Sequence, residues 1–199
     1  MDELVRRLQK GDDAAFEEFV STYEKKIYTL ALRQIGNAED AEDITQEVFL
    51  RVYRNIGSFR AESRLSTWIY QITMNACIDA ARRRARRVEV TPMYTDDDSG
   101  EQTAIELPDE SFAPEKVFER TALRDQIKEG LTHLSEEHRR ILILRDINGL
   151  SYTEIAEILS LSEGTVKSRL FRARDKMCTF LRAHGNIPGS AASKDTERG

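Results

Sequence analysis

Residues 150–174, LSYTEIAEILSLSEGTVKSRLFRAR, constrain this fold more than any other stretch. The pattern predicts two short helices joined by a tight turn. Ser151 can cap the first helix, and Glu154 stands where a capping box requires an acid. Ile155, Ile158 and Leu159 form its apolar face, and Ala156 is small enough for a second helix to approach closely. Ser160, Leu161 and Ser162 make the turn, and Ser162 can cap the second helix, with Thr165 at the third position. Val166 and Leu170 then turn inward at helical spacing. Lys167, Ser168, Arg169, Phe171, Arg172 and Arg174 are left outside. This is the layout of a DNA-binding helix-turn-helix, whose second helix touches base edges and flanking phosphates in the major groove. The plainer alternative is a helical hairpin with a basic solvated face. The caps, Ala156, Gly164 and the inward Val166 favour the helix-turn-helix.

An acidic chain is an unexpected DNA binder: the formal net charge is -5 over 199 residues. The charges are segregated, however, and partners respond to the local field rather than the sum. Arg82, Arg83, Arg84, Arg86 and Arg87 form one basic block; Lys167, Arg169, Arg172, Arg174 and Lys176 form another. Acid collects over residues 39–47 and 96–119. Two basic patches separated by an acidic segment suggest two DNA contacts and at least one partner that is not DNA.

All four prolines fall in two stretches. Residues 88–114, containing TDDDSGEQ, read as an acidic flexible linker, and residues 185–199 as a polar, disordered tail. Between them lie helical blocks at residues 1–87 and 115–184, and no run alternates as a half-buried strand does. The expected fold is all-α, with two small helical domains. No apolar run approaches the roughly 18 residues that span a bilayer, and the start lacks a signal-peptide core. A cytoplasmic protein without membrane insertion is expected. Cys77 and Cys178 are far apart and read as reduced structural thiols. His133, His138 and His184 lack metal-ligand spacing, so no metal or cofactor is expected. Nothing resembles a nucleophile–base pair or a phosphate-binding glycine loop, so the chain does not read as an enzyme.

Two further surfaces stand out in the first block. Ala41, Ile44, Val48 and Val52 mark the buried side of one helix. Asp40, Asp43, Gln46, Glu47 and Arg51 lie elsewhere around it with Phe49 beside them, a polar strip with an exposed aromatic that suits protein docking. Next, a polar loop holding Phe59 leads into a helix capped by Ser66. That helix carries Trp68, Ile69, Ile72, Ala76 and Ala80 inward, shows Tyr70, Gln71 and Asn75 near its middle, and ends in the arginine block. An aromatic loop, amides and a basic helix end suit a single strand with exposed bases. In the second block, Met177, Phe180 and Leu181 are expected to pack on residues 117–123.

Four segments in this order, DAEDITQEVFLRVY, FRAESRLSTWIYQITMNACIDAARRR, LSYTEIAEIL and GTVKSRLFRARDKM, resemble the extracytoplasmic-function sigma factors of the sigma-70 family. These carry only the second and fourth conserved sigma regions. The resemblance spans residues 13–181 and implies a job for each surface. Asp43, Gln46, Glu47 and Phe49 match positions that dock on a coiled coil of core RNA polymerase. The loop of residues 59–66, with Phe59, Arg60, Ser63 and Ser66, would receive a base flipped from the −10 element. Asn75 matches a base-reading position, and Arg82, Arg83 and Arg84 would hold the strand. Ser168, Phe171 and Arg172 match positions facing the bases of duplex −35 DNA, while Thr165, Lys167, Arg169 and Arg174 are better placed for phosphates. The linker would thread through the polymerase. An anti-sigma factor, the usual restraint on the family, is implied as a further partner. The implied function is initiation at a two-part promoter, with no covalent chemistry of the chain's own. The alternative is a free-standing helix-turn-helix regulator that binds duplex operator DNA without polymerase. It leaves the docking face and the first basic block unexplained.

Overall fold

Capping chemistry sets where the helices begin and end. The computed structural model describes the backbone of residues 3–90 and 114–184, and the side chains of residues 3–86 and 123–184. Helix α1 covers Glu3–Gln9 and α2 covers Asp13–Ile35. Asp12 caps α2, its carboxylate accepting from the Ala15 N–H at 3.2 Å and from Arg7 at 2.8 Å. Gly36 stops α2 in the left-handed region, at φ 81°, where glycine alone carries no Cβ penalty. Asn37 then caps α3, Ala38–Asn55, by accepting from the Asp40 N–H at 2.9 Å. A single tight turn, Ile56–Ser58, and a short loop lead to α4, Leu65–Val90.

Helices α1 to α4 bury one apolar core. Phe19, Ile27, Ile44, Val48, Val52 and Ile69 are almost wholly enclosed within it. Gln9 ties α1 to the loop before α4, donating to the carbonyls of Ile56 at 3.1 Å and Phe59 at 2.9 Å. Ser66, expected to cap α4, lies instead in its first turn. The first intrahelical bond runs from the Trp68 N–H to the Arg64 carbonyl at 3.1 Å, so the helix starts earlier than the Ser66 signal suggests.

The second block comprises α5 (Pro114–His133), α6 (Glu136–Leu142), α7 (Tyr152–Leu159) and α8 (Glu163–His184). Between α6 and α7, Ile143–Ile147 form a widened turn, closed where the Asn148 N–H meets the Ile143 carbonyl at 3.0 Å. Ile141, Ile143, Leu144, Ile155, Val166 and Leu170 form the centre of this block. Met177 and Phe180 pack on the end of α5, over Gly130 and beside His133. Leu123 is exposed, and the side chain of Val117 lies outside the described residues.

The second core does not stop at the block boundary. Leu30, Tyr70 and Met74, from α2 and α4, are buried within it. A seam therefore joins the two blocks. Arg139 crosses it to the Gln34 carbonyl at 3.0 Å, and Thr67 reaches Glu154 at 3.5 Å. All described elements are helical, as the sequence predicts. The expected linker, apart from its first three residues in α4 and Pro114 at the head of α5, lies outside the described residues, as does the expected tail.

Candidate nucleic-acid interface

The helix-turn-helix is built as its caps require. The Glu154 N–H donates to Ser151 Oγ at 3.2 Å, and the Ser151 N–H donates back to the Glu154 carboxylate at 2.8 Å. The bond from the Ser151 backbone, with one from its hydroxyl, holds the Glu154 carboxyl below the usual carboxylate range. Ser160 makes the turn at φ 53°, and the Thr165 N–H donates to Ser162 Oγ at 3.1 Å to open α8. Val166, Leu170 and Ala173 are buried, which fixes the rotation of α8 and leaves the opposite side in solvent. On that side Phe171 is 75% exposed, with Lys167, Ser168 and Arg172 exposed around it. An aromatic ring held this far into water has no part in the core. Thr165 and Arg169 are half-buried. Arg169 pairs with Glu137 at 3.2 Å, and Arg174 Nε donates to Asp146 at 3.0 Å.

The other basic surface lies on α4. Asn75 is exposed and Gln71 half-buried, and both line a cleft of about 140 Å³. Its far wall is Ile158, Ser160 and Leu161 of the helix-turn-helix. The seam thus places the turn between α7 and α8 over the middle of α4. Arg60 is exposed, while Ser63 and Ser66 are half-buried. Phe59 is buried, at 7% exposure, with its ring centroid 5.1 Å from that of Trp68. Arg82 is exposed, Arg83 lies 3.6 Å from Glu47, and Arg84 lies 4.0 Å from Asp40.

Residues 19–87 match sigma-70 region 2, and residues 124–177 match sigma-70 region 4. The chain belongs to the sigma-70 family. Relatives named as extracytoplasmic-function sigma factors match it over most of their length. The sigma factor SigW of Bacillus subtilis is 35% identical over 182 residues, covering 89% of this chain and 95% of the relative. The sigma-E factor of Escherichia coli K12 is 37% identical over 175 residues, covering 86% and 89%. The sigma factor RpoE of Bartonella quintana, solved with the anti-sigma factor NepR, shares the fold. Its TM-score is 0.67 at 24% identity, over 85% of this chain and 98% of that one. CnrH, solved with the cytosolic domain of CnrY, gives a TM-score of 0.64 at 23% identity, over 92% and 97%.

In this sigma factor the two matched regions coincide with the two basic surfaces. Region 2 spans α3 and α4, and region 4 contains the helix-turn-helix. On α3, Asp43 and Gln46 are exposed and Glu47 is half-buried, as a docking strip would have them. Phe49, expected to stand exposed beside them, is half-buried instead. It lies edge-on to Phe19 with centroids 5.6 Å apart, because its position falls at the margin of the core stripe. The exposed apolar groups are Leu50, at 54%, and Tyr53, at 59%. The sequence carries a signal for them: positions 43, 46, 50 and 53 recur at helical spacing on the outward side. Phe59 likewise supports the loop from below rather than offering an open ring.

Cys77 is buried, and burial pushes its thiol up to about 12, in keeping with a structural role. No group of three or more potential metal ligands occurs among the described residues. No described helix is long and apolar enough to cross a membrane.

Proposed function

We propose that this sigma factor directs core RNA polymerase to a two-part promoter through three surfaces. Asp43, Gln46 and Glu47, with Leu50 and Tyr53, dock on the polymerase. The loop of residues 59–66, Asn75 and the arginines at 82–84 take the unpaired −10 strand. Ser168, Phe171 and Arg172 read the −35 duplex, with Thr165, Lys167, Arg169 and Arg174 on its phosphates. The observation that carries this is Phe171, 75% exposed beside Ser168 and Arg172 on a helix whose rotation the core fixes. A thymine methyl group suits such a ring, and a guanidinium suits guanine.

The work is binding, not catalysis. Contacts to flipped bases and phosphates offset the few kcal/mol needed to unstack each base step, and the polymerase makes the RNA. The protein acts in the cytoplasm, where polymerase and promoter are, and needs no metal or cofactor. The related structures with NepR and CnrY support an anti-sigma factor as the partner that restrains it.

Run-off transcription over a promoter library with core polymerase tests the whole reading. Stable association and initiation from a −35/−10 pair are expected. Arg172→Ala should relax preference at one or two −35 positions by about 1–3 kcal/mol. Tight specific duplex binding without any polymerase association would return the protein to the free-standing regulators.

A further inference from the structure

Gly164 is a glycine that nothing inside the protein requires. It lies in the first turn of α8, and its backbone is not in the left-handed region. Ser160 makes the turn before it, at φ 53°, and Ser162 makes the cap, so neither feature needs a glycine at 164. Beyond its chain neighbours, a Cβ built there would meet nothing nearer than Ser162 Oγ at 3.9 Å, an ordinary contact. Gly36 and Gly130 differ: one occupies the left-handed region, and the other lies under Met177 and Phe180. Where alanine fits without strain, glycine only lowers stability, because it gives up more backbone freedom on folding. Its place on α8 shows what the bare backbone faces. Val166, Leu170 and Ala173 are buried and fix the inward side. Gly164, Ser168 and Phe171 are all exposed, and their spacing of four and then three residues puts them on one outward line.

We infer that Gly164 is a positioning residue for the −35 duplex: its missing side chain lets the first turn of α8 lie against the base edges, and so sets the depth at which Ser168 and Phe171 meet them. This rests on the reading of α8 as the −35 helix. The physics is the short range of the contacts. A methyl group at 164 would hold the helix off the groove floor. Dispersion contacts lose a quarter to a half of their depth over a gap of about 0.5–1 Å, and hydrogen bonds to base edges are as sensitive to distance. Contacts that read sequence would therefore be lost first. Sequence-independent binding, carried by phosphates, would remain, because lysine and arginine side chains are long enough to follow them. Gly164 thus serves specificity rather than general affinity for DNA.

The test uses the full chain assembled with core polymerase and a set of promoters randomised across the −35 region, with run-off transcripts sequenced. The preferred −35 sequences are those that the unmodified chain selects. With Gly164→Ala, initiation from them should fall roughly five- to hundredfold, the range of one mismatched base pair. Gly164→Leu should lose more, and transcription from promoters without a preferred −35 sequence should change little. The urea midpoint of the Gly164→Ala chain alone should stay level or rise, because alanine fits the backbone there. A lower midpoint accompanying the loss overturns the proposal, since Gly164 would then serve the fold rather than the DNA. If the unmodified chain selects no −35 sequence, the reading of α8 itself fails. If Arg172→Ala shifts the selected sequences while Gly164→Ala and Gly164→Leu leave selection and initiation unchanged, that reading stands and the close approach alone falls.

Discussion

Arg139 Nη1 donates a hydrogen bond of 3.0 Å to the carbonyl of Gln34, joining the last turn of α2 to the start of α6. The same guanidinium donates to the carbonyls of Leu131 at 2.7 Å, Thr132 at 3.1 Å and Leu134 at 3.2 Å. These are carbonyls of the kind that a helix end leaves without intrahelical partners. One planar group thus finishes two helices from different regions. Arg139→Met keeps the stem and removes every donor. It should destabilise the chain by about 2–4 kcal/mol, read as a lower urea midpoint. Arg139→Lys should recover little, since an ammonium cannot reproduce the fork. Full recovery by lysine would reduce the role of Arg139 to simple charge.

The seam that Arg139 crosses has to open for promoter work. Elements centred near −35 and −10 are about 25 base pairs apart, or roughly 85 Å of duplex at 3.4 Å per step. A compact chain of this length has a radius of gyration of about 16 Å. Leu30 is buried in the seam cluster rather than in the region 2 core. Leu30→Asp should therefore separate the regions while leaving both folded. Small-angle scattering should give a larger radius of gyration, with helical circular dichroism unchanged. An unchanged radius would mean that the seam does not depend on Leu30; lost helix would mean that Leu30 supports the region 2 fold itself.

Sequence patterns that report local chemistry are legible in this chain; those that depend on a second surface are not. The Ser151–Glu154 box, the Ser162 cap and the Gly36 stop each involve neighbours in the chain, so spacing alone predicts them. Leu30 sits in the same helical stripe as Phe19 and Ile27 but packs against region 4, and no local pattern distinguishes the two destinations. Phe49 reads as exposed because it lies off the stripe of Ala41, Ile44, Val48 and Val52, and Phe59 because it sits in a polar loop; packing draws both inward, against Phe19 and Trp68. Tyr53 and Leu50 follow from the period of α3, but apolar type makes such residues read as core. The pairing of Arg83 and Arg84 with α3 depends on how two helices pack, which charge patterning along one helix does not report.

The capping box also gives a pH dependence with a definite sign. The hydrogen bonds from Ser151 lower the Glu154 carboxyl below its ordinary value of 4.5. Its folded value therefore lies beneath its unfolded one. The stabilisation is fully present above about pH 4.5 and is lost as pH falls through the folded value. Glu154→Gln removes the titrating group. Between pH 6 and pH 3, the unmodified chain should lose more stability than the Gln variant, by urea denaturation at each pH. Parallel losses would show that the box contributes no acid sensitivity.

Gly130 is the last case, and it turns on two opposing effects. A glycine near the end of α5 lowers helix stability by about 1 kcal/mol relative to alanine, so Gly130→Ala has an intrinsic gain to offer. A Cβ there, however, would stand 2.6 Å from Met177 Sδ and 2.9 Å from Phe180 Cδ1. The methionine can move its sulfur, but the Phe180 ring is held between His133 and His184, at centroid distances of 4.7 and 4.4 Å. Overpacking of this kind costs about 1–3 kcal/mol, which exceeds the propensity gain. Gly130→Ala should therefore lower stability by about 1 kcal/mol in the unmodified chain. In a Phe180→Ala background the obstacle that cannot move is gone, and the same change should become neutral or stabilising, a coupling that a double-mutant cycle measures directly. A stabilising Gly130→Ala in the unmodified chain would mean that the α5–α8 packing is looser than these distances require.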